Sequence, residues 1–303
     1  MDRWVVRIDT RLEQLTRYPG QPAQALCNAI RHSIRAPGKR LRALLLLSAF
    51  RELTPDRAAA GAGGAAFSDA VVDLACAVEF IHAASLIIDD LPAMDDASLR
   101  RGQPANHVLF GESTTILAGI SILSQAFGMI AASPAGTPAA RNRFVSALSD
   151  AVGVGGLAAG QLADLGRADD TAGPSLDSIH AQKTGALFAV AAEGGGLIAG
   201  AEADLCARLH GLGLSIGLAF QAFDDVLDAA GSAQHMGKDV GQDRRLGDEG
   251  GTVALARAGA AIRDHLQDVE NQVNVLCRGQ GALRAYTRHL RAALDRYLRL
   301  CDR

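Results

Sequence analysis

Two clusters of aspartates are the residues of this sequence best suited to chemistry. The first reads DDLPAMDD over residues 89–96, and the second reads DDVLD over residues 224–228. Each cluster follows an apolar run, so its carboxylates sit at the end of a buried element. Burying carboxylates without partners costs several kcal/mol, and a divalent cation removes that penalty. Because all the ligands are oxygens, the clusters predict a site for Mg²⁺.

The spacing within each cluster constrains the local backbone. Asp89 and Asp95 are six residues apart, roughly 240° around an ideal helix, so they converge only if the helix bends or stops near Pro92. Asp224 and Asp228 are four residues apart and share one helix face. The candidate metal ligands are Asp89, Asp90, Asp95, Asp224 and Asp228.

Basic residues flank both clusters. Lys39 and Arg42 open a predicted helix and are placed on one face of it, Arg100-Arg101 follows the first cluster, and Lys183 precedes Thr184. A diphosphate needs this set, because Arg forms bidentate hydrogen bonds with phosphate oxygens and Lys adds a point charge. Ordinary surface charges would explain any one pair, but not their position beside the acidic clusters.

His82 precedes Asp89 by seven residues and returns to nearly the same helix face. This alignment makes His82 a candidate phosphate contact. The alternative is a satisfied core histidine on an apolar helix. Each aspartate cluster taken alone likewise has an alternative as a solvated helix end.

The elements that position these residues are predicted to be helices throughout. Aromatic residues are only 4% of the chain, alternating β-branched runs are missing, and Ala and Leu dominate the long segments. Segments 70–88 and 186–201 are apolar on nearly every side, which is typical of interior helices of a bundle. Helices are predicted over residues 3–17, 22–36, 40–53, 67–90, 112–132, 139–163, 175–199, 202–229, 252–277 and 280–301. We expect one all-α domain over residues 1–303.

Composition excludes several classes of protein. Apolar residues make up 49% and charged residues 21%, values that exclude a largely disordered chain. The net charge is −3 and the basic residues form no continuous stripe, so nucleic-acid binding is not expected. No unbroken apolar run reaches about 18 residues, so no integral membrane segment is expected. Five scattered cysteines without a CxxC pair favour a reducing, cytoplasmic location.

Together these motifs resemble those of the trans-isoprenyl diphosphate synthases. The resemblance rests on residues 38–42, 89–101, 180–185 and 221–228, in matching order and separation. The stretch HAASLIIDD over residues 82–90 looks closest to geranylgeranyl diphosphate synthases of carotenoid pathways.

The resemblance implies an antiparallel helical bundle around a deep central cavity, usually dimeric. It also implies Mg²⁺-dependent head-to-tail condensation of isopentenyl diphosphate with an allylic diphosphate (dimethylallyl, geranyl or farnesyl), with loss of pyrophosphate. Three Mg²⁺ ions would bind between the allylic diphosphate and Asp89, Asp95 and Asp224, which with Lys183 form the catalytic set. By motif match, the residues that serve the allylic substrate would be Arg100, Lys183, Thr184, Gln221 and Lys238. Those that hold isopentenyl diphosphate would be Lys39, Arg42, His82 and Arg101.

Product length is expected to depend on Ala84 and Ser85, about one helical turn before Asp89. Both are small, which leaves room for a twenty-carbon chain, although close helix packing is an alternative reason for small residues there. A fifteen-carbon product, from a farnesyl diphosphate synthase, is the alternative within the family.

One segment departs from the family pattern. The family's usual second lysine after Lys238 is absent from residues 246–252, where Arg244 or Arg245 could substitute for it. This departure leaves a regulatory subunit of a heteromeric synthase as the alternative from outside enzymes. A terpene cyclase is disfavoured, because DDVLD is not that class's second metal motif.

Overall fold

The computed structural model describes residues 1–54, 67–166, 176–229, 251–277 and 281–301. Two short strands, β1 (Leu99–Arg100) and β2 (Gln103–Pro104), form an antiparallel pair. A π-helix spans Ala181–Gly185. The helices are α1 (Asp2–Leu15), α2 (Gln24–Arg35), α3 (Leu41–Leu53), α4 (Asp69–Asp89), α5 (Asn106–Phe110), α6 (Glu112–Ala132), α7 (Pro138–Val152), α8 (Leu157–Asp164), α9 (Leu176–His180), α10 (Ala186–Ala199), α11 (Ala203–Ala229), α12 (Gly251–Leu276) and α13 (Ala282–Cys301). The all-α prediction is confirmed.

Three apolar helices form the interior of the bundle. Nine consecutive residues of α3, Leu41 to Ala49, are buried, and α4 and α10 are buried along most of their length. Helix α10 packs against α3, α7 and α11, while α4 packs against α3 and α6. The prediction that segments 70–88 and 186–201 are interior helices is therefore confirmed. One core joins buried side chains of the described residues from Ile8 to Leu294. The single domain over residues 1–303 stays a prediction.

Glycines allow α10 to lie close to two neighbouring helices, α3 and α11. A Cβ atom on Gly195 of α10 would lie 2.4 Å from the carbonyl oxygen of Leu46 in α3. A Cβ atom on Gly213 of α11 would lie 2.4 Å from the carbonyl oxygen of Phe188 in α10. Neither backbone oxygen can move without moving its helix, so these contacts fix the distances between α10 and its neighbours.

Two predicted helices are interrupted. The segment predicted as one helix over 139–163 is two helices, α7 and α8, separated by the turn Gly153-Val154-Gly155-Gly156. A Cβ atom on Gly156 would lie 2.1 Å from the carbonyl oxygen of Ala151, a turn geometry that only glycine permits. The segment predicted over 175–199 contains the π-helix. The β1–β2 hairpin and α5 were not predicted, because they are too short to have a periodicity.

Among the helices of the described residues, two, α4 and α6, are long and apolar enough to cross a membrane by length and composition. Neither helix is one unbroken apolar run in the sequence, because isolated polar residues such as Glu79 and Ser121 interrupt it. In α4, 67% of the apolar window is buried, as in a core helix, whereas in α6 only 33% is buried. Helix α6 therefore presents an apolar face outside the described core.

The glycine contacts predict opposite effects for two alanine substitutions. Gly195→Ala should lower the free energy of unfolding by about 1–3 kcal/mol, because the new methyl group overlaps α3. On α6, a Cβ atom at Gly128 would have no neighbouring atom within 4 Å. Gly128→Ala should therefore raise the free energy of unfolding by about 0.5–1 kcal/mol, because alanine has the higher helix propensity. Denaturant unfolding of both variants measures the difference, and equal effects would contradict the proposed close approach.

Candidate active site

The first aspartate cluster lies where α4 stops. The helix ends at Asp89, and the backbone turns so that the amide of Asp95 donates to the carbonyl oxygen of Asp89 at 2.9 Å. Asp96 completes the turn in a left-handed conformation, with φ of 48°. The prediction that the helix must stop near Pro92 for Asp89 and Asp95 to meet is confirmed.

Burial dominates the electrostatics of this turn. Asp89 and Asp90 are 8% and 3% exposed. Burial raises the pKa of Asp89 to about 7, the positive charge of Lys183 opposes this rise, and the neighbouring carboxylate of Asp95 adds to it. Burial also raises the pKa of Asp90, against the hydrogen bond from Arg100. These carboxylates are crowded and poorly solvated, which is the condition that a bound cation relieves.

A hairpin sends Arg100 and Arg101 to different partners. Its two turn residues, Arg101 and Gly102, both have positive φ, 55° and 76°, as a tight two-residue β-turn requires. Arg100 Nε donates to Asp90 Oδ1 at 2.7 Å, and a second nitrogen, Nη2, donates to the same oxygen. Arg101 points instead toward His82. Arg100 is therefore held at the predicted metal ligand Asp90.

His82 lies between two guanidinium groups. Its Nε2 atom is 3.3 Å from Arg42 Nη1 and 3.4 Å from Arg101 Nη2. Because a guanidinium nitrogen can only donate, Nε2 accepts and carries no proton. Burial and the adjacent arginines lower the pKa of His82 well below its usual value. Three of the residues predicted to hold isopentenyl diphosphate are thus in contact.

Lys39 does not share a helix face with Arg42, and this prediction is wrong. Helix α3 begins at Leu41, and Arg40 before it is left-handed, with φ of 50°. Lys39 extends to α11, where Nζ lies 4.6 Å from the centre of the Phe223 ring. Arg42 stacks on Phe188 of α10, at 4.2 Å from the ring centre. The two cations therefore lie on aromatic faces of different helices.

The π-helix carries Lys183 and Thr184. Lys183 Nζ donates to Asp164 Oδ2 of α8 at 2.5 Å, and Thr184 Oγ1 donates to Gln221 Oε1 of α11 at 2.6 Å. Burial lowers the pKa of Lys183, but the carboxylates of Asp164 and Asp89 outweigh it, so that pKa is raised. Three residues predicted to serve the allylic substrate, Lys183, Thr184 and Gln221, are thus brought to one region.

Helix α8 supplies residues that the sequence analysis missed. Gln161 is 6% exposed, and its Nε2 donates to Asp95 Oδ1 at 3.3 Å. Asp164, three residues later, holds Lys183. Gly160 lies against the π-helix, where a Cβ atom would be 2.5 Å from the amide nitrogen of Lys183. In the sequence, Gln161 directly follows Gly160 in an otherwise apolar segment. That pattern could have indicated that α8 packs closely against a polar partner.

The carboxylates fit a magnesium site only in part. Among the described residues, which do not include 230–250, no group of three His, Cys, Asp or Glu side chains is close enough to hold a metal. Asp89 and Asp95 converge as predicted, and Asp224 lies on α11. Asp228 belongs to the same helix, but its side chain is outside the described ones. Lys238, Arg244, Arg245 and most of the 246–252 segment also lie outside the described residues.

The chain-length candidates lie on α4 one turn before the aspartates. Ala84 is 4% exposed. Ser85 is half-buried, and its hydroxyl donates to the carbonyl oxygen of His82 at 2.9 Å. Ile88 follows on the same face and approaches α6, where its Cδ1 would be 3.1 Å from a Cβ atom on Gly119. The role of Ala84 and Ser85 in product length stays a prediction.

Comparison with known proteins identifies the family. The polyprenyl synthetase family model matches residues 23–299. The chain belongs to this family. It is therefore a prenyltransferase, which confirms the resemblance noted from the motifs.

Individual relatives differ in their products. The chain is 40% identical over 273 residues to a geranylgeranyl diphosphate synthase of Pantoea ananas, covering 89% of this chain and 86% of that protein. It is 37% identical over 293 residues to a farnesyl diphosphate synthase of Geobacillus stearothermophilus, covering 95% and 94%. In fold, it resembles a Helicobacter pylori geranyltransferase, solved with magnesium and isoprenyl diphosphate, with a TM-score of 0.82 at 24% identity over 97% and 96% of the two chains.

The contact between α8 and the π-helix predicts a selective kinetic defect. Gly160→Ala should displace the backbone of Lys183 and lower the kcat of prenyl transfer at least tenfold, because a misplaced charge stabilises the leaving group poorly. Gly155→Ala, in the preceding turn, meets nothing within 4 Å and is the control. Steady-state kinetics of both variants measures the effect, and equal kcat values would exclude a role for this contact.

Proposed function

We propose that this prenyltransferase is a geranylgeranyl diphosphate synthase, which joins isopentenyl diphosphate head-to-tail to an allylic diphosphate and releases pyrophosphate. One observation carries the proposal. Helix α4 holds two groups of charges, Asp89 at its end and His82 with its two arginines two turns earlier. Seven residues of helix separate them by about 10 Å, a spacing that suits two diphosphates side by side.

The group around Asp89 suits the allylic diphosphate. Arg100, Lys183 and the Thr184–Gln221 pair surround this end of the bundle. During the reaction the allylic C–O bond breaks, and its electron pair leaves with pyrophosphate. Positive side chains that are already held in place stabilise this developing charge without reorganising. Because Asp164 holds Lys183 before substrate arrives, the charge of Lys183 is preorganised.

The group around His82 suits isopentenyl diphosphate. Arg42 and Arg101 offer guanidinium donors for its phosphates, and Lys39 adds a third positive charge. The double bond of isopentenyl diphosphate then attacks the allylic cation, and the new cation loses a proton to the departing pyrophosphate. Phe220 and Phe223 offer apolar ring faces near Lys39, and such faces exclude water that would otherwise capture the cation.

Magnesium is the implied cofactor. Asp89 at the end of α4, Asp95 in the turn that follows and Asp224 on α11 would hold it, with Asp90 and Asp228 as further oxygen donors. When bound, Mg²⁺ supplies positive charge that stabilises the departing pyrophosphate. The raised pKa of buried Asp89 supports this assignment, because it shows a carboxylate that lacks sufficient counter-charge. A complement of three ions is carried over from the family.

A twenty-carbon product is supported by the small side chains before Asp89. Ala84 and Ser85 leave space below the aspartates, where a large aromatic side chain would stop growth near fifteen carbons. A farnesyl diphosphate synthase is the second candidate, favoured by the 37% identity to the Geobacillus stearothermophilus enzyme. A regulatory subunit without activity is disfavoured, because both aspartate clusters are intact.

We also infer a cytoplasmic homodimer. Helices α5 and α6 expose the side chains of Val108, Leu109, Ile116, Leu117 and Ile120. Exposed apolar side chains on two helices that pack together are typical of an interface between subunits rather than of a free surface. Four of the cysteines, Cys27, Cys76, Cys206 and Cys277, are free and buried, which suits a reducing compartment. Analytical ultracentrifugation measures the oligomeric state directly.

The product assay tests the central proposal. Purified protein with Mg²⁺ and isopentenyl diphosphate is given dimethylallyl, geranyl or farnesyl diphosphate in separate reactions, and the dephosphorylated products are sized by chromatography. We expect a twenty-carbon alcohol from each primer. A fifteen-carbon endpoint would keep prenyl transfer but overturn the role of Ala84 and Ser85. No elongation by folded protein would overturn the synthase proposal itself.

The raised pKa of Asp89 predicts that magnesium binding depends on pH. Below about pH 7 the buried carboxyl group holds a proton, which Mg²⁺ must displace, so binding weakens as pH falls. With one coupled proton, the dissociation constant should be about tenfold larger at pH 6 than at pH 8. Calorimetric titration with MgCl₂, without substrate, measures the dissociation constant at both pH values. A dissociation constant that does not change with pH would contradict the prediction.

A further inference from the structure

The carboxylate of Glu79 is buried near the candidate active site and belongs to neither of the two groups described above. Glu79 lies inside the apolar helix α4 and is 4% exposed. It precedes His82 by three residues and therefore shares its helix face. A carboxylate buried this deeply is retained only where specific partners compensate its charge.

Glu79 binds the first turn of α3. Its Oε1 accepts the backbone N–H of Ala43 at 3.2 Å. Helix α3 needs this bond, because Arg40, the residue before its first turn, makes no side-chain cap. The amide groups at a helix N-terminus have no partners within the helix and carry partial positive charge, so a carboxylate is their favoured acceptor.

The second oxygen of Glu79 faces Arg40. The distance from Oε2 to Arg40 Nη1 is 3.6 Å, and both side chains are less than a tenth exposed. Arg40 also donates to Asp9 Oδ1 at 2.8 Å and to the carbonyl oxygens of Ile34 and Ala36 at 3.0 and 3.2 Å. These bonds hold Arg40 in its left-handed conformation, which turns the chain from Lys39 into α3.

Glu79 also compensates the neighbouring arginines. Burial lowers the pKa of Arg42 to about 10, and Glu79 is the largest influence that opposes this fall. Burial also lowers the pKa of Arg101, and Glu79 again gives the largest opposing influence. The carboxylate thus favours the charged form of both guanidinium groups before any anion has bound.

We propose that Glu79 is the positioning residue of the isopentenyl diphosphate site, because it fixes the start of α3 and so aims Lys39 and Arg42. The inference rests on the proposed function for the identity of the ligand. Glu79 contacts the backbone and Arg40, and it acts on the diphosphate only through the residues that it holds.

Kinetics of Glu79→Gln test the proposal. The amide can still accept from Ala43 but cannot pair with Arg40, so we expect the KM for isopentenyl diphosphate to rise about tenfold. The KM for the allylic substrate should change less than about twofold. Glu79→Met, which also removes the acceptor, should raise the KM for isopentenyl diphosphate further. An equal rise in both KM values, or a fall for isopentenyl diphosphate, would overturn the proposal.

The chain offers a matched control. Glu52 Oε2 accepts the backbone N–H of Leu283 at 3.1 Å, in the first turn of α13, so it too binds the start of a helix from outside. Glu52→Gln should leave both KM values within about twofold, even if it lowers the melting temperature. A loss of stability alone would affect the two Glu→Gln variants alike, whereas a positioning role separates them.

Two further measurements complete the test. If Glu79→Gln does not fold, Arg40→Lys is tested in its place. That variant keeps the positive charge but loses the several hydrogen bonds of the guanidinium group, so it should raise the KM for isopentenyl diphosphate and not that for the allylic substrate. Calorimetric binding of isopentenyl diphosphate to wild type and variants separates the two hypotheses. Wild type that binds this ligand but makes no product would overturn the proposed function alone. Equal affinities of wild type and Glu79→Gln would overturn the role of Glu79.

Discussion

Charge buried at the end of an apolar helix is the constraint on which the rest of this site depends. Helix α4 is hydrophobic enough to lie inside the bundle, yet it ends in Asp89 and Asp90, which are 8% and 3% exposed. Their charge must be compensated from outside the helix. The hairpin brings Arg100 to Asp90, and the π-helix brings Lys183 close enough to oppose the rise that burial causes in the pKa of Asp89. The positive charge opposite Asp89 and Asp90 thus comes from two short elements, the hairpin and the π-helix, and not from the long helices.

Backbone strain is concentrated in the same place. Three of the four described non-glycine residues with positive φ, Arg40, Asp96 and Arg101, flank side chains of the site. Each such conformation costs about 1 kcal/mol or more and persists only where surrounding contacts determine it. Here those contacts come from α3, α4 and the hairpin, and the deep burial of the two helices provides the rigidity. The residues that we propose to bind diphosphate are therefore placed by strained turns that rigid helices hold.

The sequence predicted the residues of the site better than the geometry between them. Spacing and Pro92 were sufficient to predict the meeting of Asp89 and Asp95, because that meeting is local. Lys39 was placed on α3 because no sequence signal marks the left-handed conformation of Arg40, which depends on Asp9 and Glu79 far along the chain. Gln161, Asp164 and Glu79 escaped prediction for the same reason: their partners are distant in sequence, and a single buried polar residue has no periodicity.

The π-helix has a consequence for how the chain can vary in length. Because a π-turn holds one more residue than an α-turn, Ala181–Gly185 rotates everything before it relative to α10 by about 100°. Removal of one residue here would restore an ordinary helix and still leave α10 in place in the core. It would, however, swing Lys183 away from Asp164 and separate Thr184 from Gln221. Even with α10 in place, a single-residue deletion would therefore dismantle the site, so the chemistry of the site constrains the length of this segment.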